Sequence, residues 1–156
     1  RQKLSASLLH IESQLEQLYG PLAFLIIEGR RSFIDLLDVL GRNYVFYEGG
    51  NLPEDELKIW LFWVEHDMFP RNEKIKTLLS TNTHLIEGDK IPHSYVRFLE
   101  HYNSWKMIHL LWQKEGIEYS WRSKINWPRD FENDVMATFE NLKKKHSELL
   151  GKTSKK

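Results

Sequence analysis

Residues 4–25, LSASLLHIESQLEQLYGPLAFL, place leucine or isoleucine at positions 4, 8, 11, 15, 18, 22 and 25. The steps alternate between four and three, which is the seam of a helix packed along a partner helix. Gly20-Pro21 lies inside the seam. Proline there removes one backbone donor and clashes with the carbonyl of Gln17, costing about 3 kcal/mol. The stripe stays in phase across the pair, so the spacing predicts one kinked helix, with a break at Gly20 as the alternative. Phe33, Leu36, Leu37 and Leu40 keep helical spacing, Gly29 is a weak point, and Gly41 is the expected stop.

Downstream, Tyr44-Val45-Phe46-Tyr47 has strand propensity but nothing to pair with before Gly49-Gly50, and reads as a packed connector. Leu52-Pro53-Glu54-Asp55-Glu56 starts a helix, with proline pre-set for the first turn and acids facing the positive end of the dipole. Its apolar face is Leu57, Trp60, Leu61, Val64 and Met68, widened by Trp63. Pro70 kinks or restarts it, and the pattern continues through Ile75, Leu78 and Leu79 toward Ser80. After a turn from Thr81 to Lys90, Pro92 opens a helix in which Tyr95, Phe98, Tyr102, Trp105, His109 and Trp112 form a second heptad stripe, ended by Gly116. Ile117 to Lys124 reads as a polar loop. Asn126-Trp127-Pro128 starts a last helix with Phe131, Val135, Thr138, Phe139 and Leu142 buried and Gly151 as its stop. The stretch from Trp60 to Trp112 holds four of six tryptophans and five of seven histidines, so any core or site forms around it.

With 156 residues, 41% of them hydrophobic, the chain can bury one sizeable core, and residues 1–151 read as a single helical domain. Residues 152–156 read as a disordered basic tail. Lys plus Arg and Asp plus Glu both number 22, so the chain as a whole has no pull toward nucleic acid or acidic lipid. Locally it has an acidic shoulder, with six acids against Lys58 between Glu48 and Asp67, and a basic end, with six lysines against Glu148 from Lys143 onward. The absence of cysteine excludes disulfides, thiolate metal sites and cysteine nucleophiles. No apolar run nears the roughly 20 residues of a membrane span. Beginning at Arg1, the sequence is either a soluble protein or a trimmed piece of a longer one.

Gln14-Leu15 with Leu18-Tyr19-Gly20-Pro21-Leu22, then Phe69-Pro70 with Asn72, then His84-Leu85-Ile86 with Gly88, then Pro92 and His101 resemble, in order and spacing, a family of uncharacterised bacterial proteins. The resemblance covers nearly the whole chain, and Leu-Tyr-Gly-Pro-Leu is its most specific segment. It implies one membrane-spanning helix at the extreme N-terminus, which here would precede Arg1, and a soluble part on the cytoplasmic side of the inner membrane. It implies no activity.

His84 with Glu87, and His101 with His109, have spacings that could contribute metal ligands, but a metal needs three or four groups converging, and core or turn hydrogen bonding is the stronger reading. Ser80, Ser94, Ser104 and Ser120 lack the glycine-flanked turn of a serine nucleophile. Gly49-Gly50 is not followed by the lysine-bearing helix start of a phosphate loop. Acid pairs such as Glu65 and Asp67 read as helix caps and solvated faces. The tryptophans sit on helical stripes, where packing outweighs base stacking. No catalytic residue, metal or cofactor is assigned, and no specific nucleic-acid binding.

The sequence therefore predicts an all-α chain, an elongated bundle of four or five helices whose spine is the long kinked N-terminal helix, with the aromatic helix from Pro92 to Trp112 against it. Its expected function is that of a membrane-anchored, cytoplasmic-facing module binding a protein partner or acting as a scaffold, and a homo-oligomer is compatible with this. The alternative is an enzyme or small-ligand sensor built on Asn72, His84 and His101. The candidate binding residues are these three and Trp105, because the connection from Ser80 to Pro92 can bring Asn72 near His101.

Overall fold

Helical backbone runs unbroken from Gln2 to Leu40, as α1 (Gln2–Gln14), a π-helical turn (Leu15–Tyr19) and α2 (Gly20–Leu40). The π turn is how the chain accommodates Pro21. Gly20 donates its N–H to the Leu15 carbonyl, five residues back. The Gln17 carbonyl, which an α-helical N–H at position 21 would have reached, instead accepts from Asn82 Nδ2 at 3.2 Å. Only glycine fits before the proline, since a Cβ at position 20 would stand 2.5 Å from the Leu15 oxygen. The wider turn also shifts the helix phase. Past it the chain fully buries Leu22, Ala23 and Ile26, while Leu25, on the expected stripe, is only partly buried.

The same device recurs. The helix α3 (Glu54–Trp63) passes through a second π turn (Val64–Met68) into α4 (Phe69–Thr81), where Phe69 donates its N–H to the Val64 carbonyl and Pro70 follows. Each proline stands two residues beyond its π turn. The chain is thus neither restarted nor broken at Pro70.

Gly41, in the left-handed region at φ 72°, ends α2, and its N–H reaches the Asp38 carbonyl at 3.1 Å. In the connector that follows, Arg42 grips Glu56 with Nη1 and Nη2 at 2.9 and 2.8 Å, donates to the Val45 carbonyl and lies over the Tyr47 ring at 4.3 Å. That clasp buries Val45 without any strand. A single 3-10 turn (Thr83–Leu85) leads to α5 (His93–Glu115), which ends at Gly116 with φ 67°. The last helix, α6 (Arg129–Ser154), does not stop at Gly151. A glycine inside a helix costs only about 1 kcal/mol relative to alanine and ends nothing by itself.

The computed structural model describes residues 2–117 and 127–154, among which every regular element is helical. The polar loop expected up to Lys124 and the helix-start signal at Asn126 lie outside the described residues, apart from Ile117. No helix among the described residues is long and apolar enough to cross a membrane.

The buried side chains form two clusters. One joins Leu18, Tyr19, Leu22 and Ile26 to Ile75, Leu79, Phe98, Phe131 and Val135. The other gathers Leu36, Val45, Trp60, Val64, Met68 and Trp105. The backbone of α6 lies along α1, the first π turn, α2 and α5. The aromatic helix α5 therefore has α6 as its close backbone neighbour, and it reaches the N-terminal helix through side chains such as Tyr95 against Tyr19. Its large rings hold the backbones apart on that side.

Candidate functional site

Among the described residues, polar contacts join the helices at several points, three of them around the π turns and α4. Around the first π turn, Gln14 Nε2 donates to the Leu85 carbonyl at 3.0 Å and to Glu87 Oε2 at 2.9 Å. The Tyr19 hydroxyl accepts the Glu87 N–H at 2.9 Å and shares a 3.0 Å hydrogen bond with Tyr95. Burial raises the pKa of both tyrosines, so they stay neutral. This knot pins the 82–92 connection to the N-terminal helix, joining Gln14 to Leu85, 71 residues on, and Tyr19 to Glu87, 68 residues on.

The second arrangement surrounds Arg71, whose side chain is 7% exposed. It donates to Glu28 Oε1 at 3.1 Å and to Asp67, which also accepts from Ser32, whose oxygen in turn accepts from Trp63 Nε1 at 2.9 Å. Burial pushes the Asp67 carboxyl up, but the hydrogen bonds from Arg71 and Ser32 outweigh it and hold the pKa below the usual range. Gly29 is no weak point here. A Cβ at that position would stand 2.9 Å from Arg71 Nε, so the missing side chain is what admits the guanidinium.

The third is a cleft of about 170 Å³ between α4 and α5, lined by Asn72, Tyr102, Trp105 and His109 with Phe69 and Leu110 and, at its rim, Glu73, Lys106 and Gln113. Both ends are tied. Tyr102 donates to Glu73, while Lys106 Nζ reaches Glu73 Oε1 at 3.2 Å and the Tyr102 hydroxyl at 3.0 Å. The hydrogen bond from Tyr102 holds the Glu73 carboxyl below its usual range, and burial holds the Tyr102 phenol above its own. At the other end, His109 Nε2 and Gln113 Nε2 each lie 3.1 Å from Glu65 Oε1. The walls are aromatic, with Phe69 set edge-to-face against Trp105 at 6.2 Å and His109 at 4.9 Å.

The expected site residues divide. Asn72 and Trp105 line this cleft together, and both are buried. His101 is also buried, but it turns away from the cleft and packs edge-to-face on Trp127 at 5.2 Å, with Nδ1 lacking any hydrogen-bond partner. Neighbours on a helix point about 100° apart, which is why Tyr102, not His101, meets α4. His84 is exposed on the 3-10 turn. Among the described residues, no three His, Asp or Glu groups are placed to hold a metal ion.

On the adjoining face of α4, a broad open groove of about 690 Å³ runs between α2 and α4 over the first π turn, lined by Gly20, Pro21, Phe24, Leu25, Thr77 and Leu78, with Lys74 and with Glu73, which also edges the cleft. It is almost wholly apolar, and the Phe24 ring at its edge is 69% exposed.

No family model, curated protein or solved structure matches the chain.

The residue patterns do not single out Gln14, Tyr19 or Glu73 as members of these sites, and they offer His109 only as a possible metal ligand with His101. Asn72, Ile75 and Leu79 carried a signal, since steps of three and four put an amide in line with two buried aliphatics. Gln14 carried none, because its partner in the chain is a backbone carbonyl more than seventy positions on.

Proposed function

We propose that the domain is a protein-binding module, an elongated helical bundle on a kinked first helix, held on the cytoplasmic side of a bacterial inner membrane. The observation that carries this reading is the groove over the first π turn with Phe24 standing 69% exposed at its edge. An exposed aromatic beside a continuous apolar trough is the form of a surface that receives the apolar face of another helix. Ile27 and Ile34, both exposed, extend the apolar face of α2 beyond the groove, at helical steps from Phe24. Lys74, exposed on the α4 wall, would fix the partner's register by charge. The anchor rests on the family resemblance and on Arg1 and Lys3, which would lie just inside a preceding membrane helix.

The test is site-specific photocrosslinking of the full-length protein in its own membrane, with a photoreactive phenylalanine at position 24 and, as control, at the exposed position 144. One protein captured at 24, not at 144, and competed away by the unlabelled domain but not by its Phe24→Glu variant supports the module. Capture of a second copy of the chain would make the groove a self-association surface. Equal capture at both positions would remove it. Release of the protein from membranes by high salt would refute the anchor.

A further inference from the structure

We infer that the cleft between α4 and α5 is a binding site for one small, uncharged, planar ligand carrying a hydrogen-bond donor next to an acceptor, such as a nitrogen heterocycle or aromatic amide of single-ring to nucleobase size. This goes beyond the protein-binding reading and rests on a different face of α4. The decisive group is Asn72. Its side chain is 97% withdrawn from solvent, at 3% exposure, yet its amide makes no hydrogen bond to any described residue. Nor is it sealed in the core, as Gln14 Oε1, Arg42 Nε and His101 Nδ1 are. What reaches it is the space of the cleft, which it lines.

An amide left unpaired on burial costs about 1–3 kcal/mol, so the arrangement is favourable only when something in the cleft meets it. Water entering the cleft can meet the amide, but a planar ligand also stacks on the Phe69 and Trp105 rings and gains contacts that water does not. The space of about 170 Å³ is well under the roughly 300 Å³ at which drug-sized pockets begin, which restricts the occupant to about one ring system. Flat aromatic walls favour a planar occupant, and the Asn72 amide presents a donor and an acceptor side by side to its edge.

Charge decides the class. The cation among the lining residues, Lys106, is already engaged by Glu73 and Tyr102, so a phosphate or carboxylate finds no spare positive charge. Glu73 is held by Tyr102 and Lys106, and Glu65, just behind the far end, by His109 and Gln113, so a cationic ligand would have to displace existing partners. A neutral ligand disturbs neither tie.

The experiment is a titration of the 15N-labelled domain with nicotinamide, uracil and adenine as neutral probes and with inorganic phosphate and spermidine as charged ones, followed by amide and indole resonances. Saturable shifts with at least one neutral probe, centred on the Asn72 side-chain amide and the Trp105 indole, are expected. Two variants separate the cleft from a general surface: Asn72→Leu, which removes the amide, and Leu110→Trp, which fills the space from the partly exposed rim. Each should weaken binding at least tenfold, and Asn72→Leu should melt no lower than the wild type without ligand. Absence of a saturable shift at millimolar probe, equal binding by both variants, or saturation by only phosphate or spermidine would overturn the inference. So would a lower melting temperature for Asn72→Leu, because it would make the amide a structural partner. None of these outcomes bears on Phe24.

Discussion

Burial without a partner holds the His101 ring at a pKa of about 4, against 6.5 for the free side chain. The folded protein therefore keeps it neutral at pH 7. As pH falls through about 6.5, the unfolded chain takes up a proton that the folded one refuses, so the stability present above 6.5 is lost progressively toward pH 4, by up to about 3 kcal/mol. Urea unfolding at pH 7.5 and 4.5 should show His101→Leu losing about 2 kcal/mol less than the wild type, and an equal loss would clear His101 of the effect. Two helical glycines make a second comparison at this scale. A Cβ at Gly151 meets nothing within 4 Å, so Gly151→Ala should stabilise by about 0.5 kcal/mol, as helix propensity allows. Gly29→Ala meets the Arg71 guanidinium and should instead destabilise by about 1 kcal/mol or more. Both are read from denaturation midpoints. That Gly29 is a close-packed position could not be read from its neighbours, because what fills its space is an arginine some forty residues on.

At the scale of the element, the heptad of residues 4–25 foretold a continuous helix through Gly20-Pro21, and the helix is continuous. The means is a π turn, which carries one more residue per turn and so re-phases everything after it. Hence the expected stripe holds at Ile11, Leu18 and Leu22 but passes from Leu25 to Ile26. If the turn exists to accommodate Pro21, removing its extra residue should be harmful while the proline remains and less so once it is gone. Deleting the exposed Glu16 should lower the melting temperature markedly, and deletion combined with Pro21→Ala should recover part of the loss, because proline in a regular helix costs about 3 kcal/mol. Equal melting of the two deletion proteins by circular dichroism would separate the turn from the proline. Gly20→Ala, whose Cβ would collide with the Leu15 carbonyl, should cost at least about 2 kcal/mol.

At the scale of the whole molecule, α2, α4 and α5 each contribute to the two buried clusters or their margins, which ties the clusters into one cooperative structure. In a Trp127→Phe variant, which removes the tryptophan packed on the first cluster, Trp60, Trp63 and Trp105 report on the second cluster, while Ile11, Leu22 and Phe131 belong to the first. Tryptophan fluorescence and far-ultraviolet circular dichroism should therefore trace coincident urea transitions, and a fluorescence transition that comes first would mean that the second cluster melts alone. The sequence by itself determined the helical class, the helix starts at Pro53 and Pro92, and the stops at Gly41 and Gly116. These depend on periodicity and on the backbone preferences of proline and glycine, which act within a turn or two. Only the tertiary structure decided that Asn72 and Trp105 share a cleft while His101 faces Trp127, that Gln14 and Tyr19 hold the distant 85–87 backbone, and that α5 lies along α6. The reason is that side-chain direction turns about 100° with each helical residue, so a single extra residue in a π turn, or one position along α5, sends a polar group to a different neighbour, and local patterns do not carry that rotation.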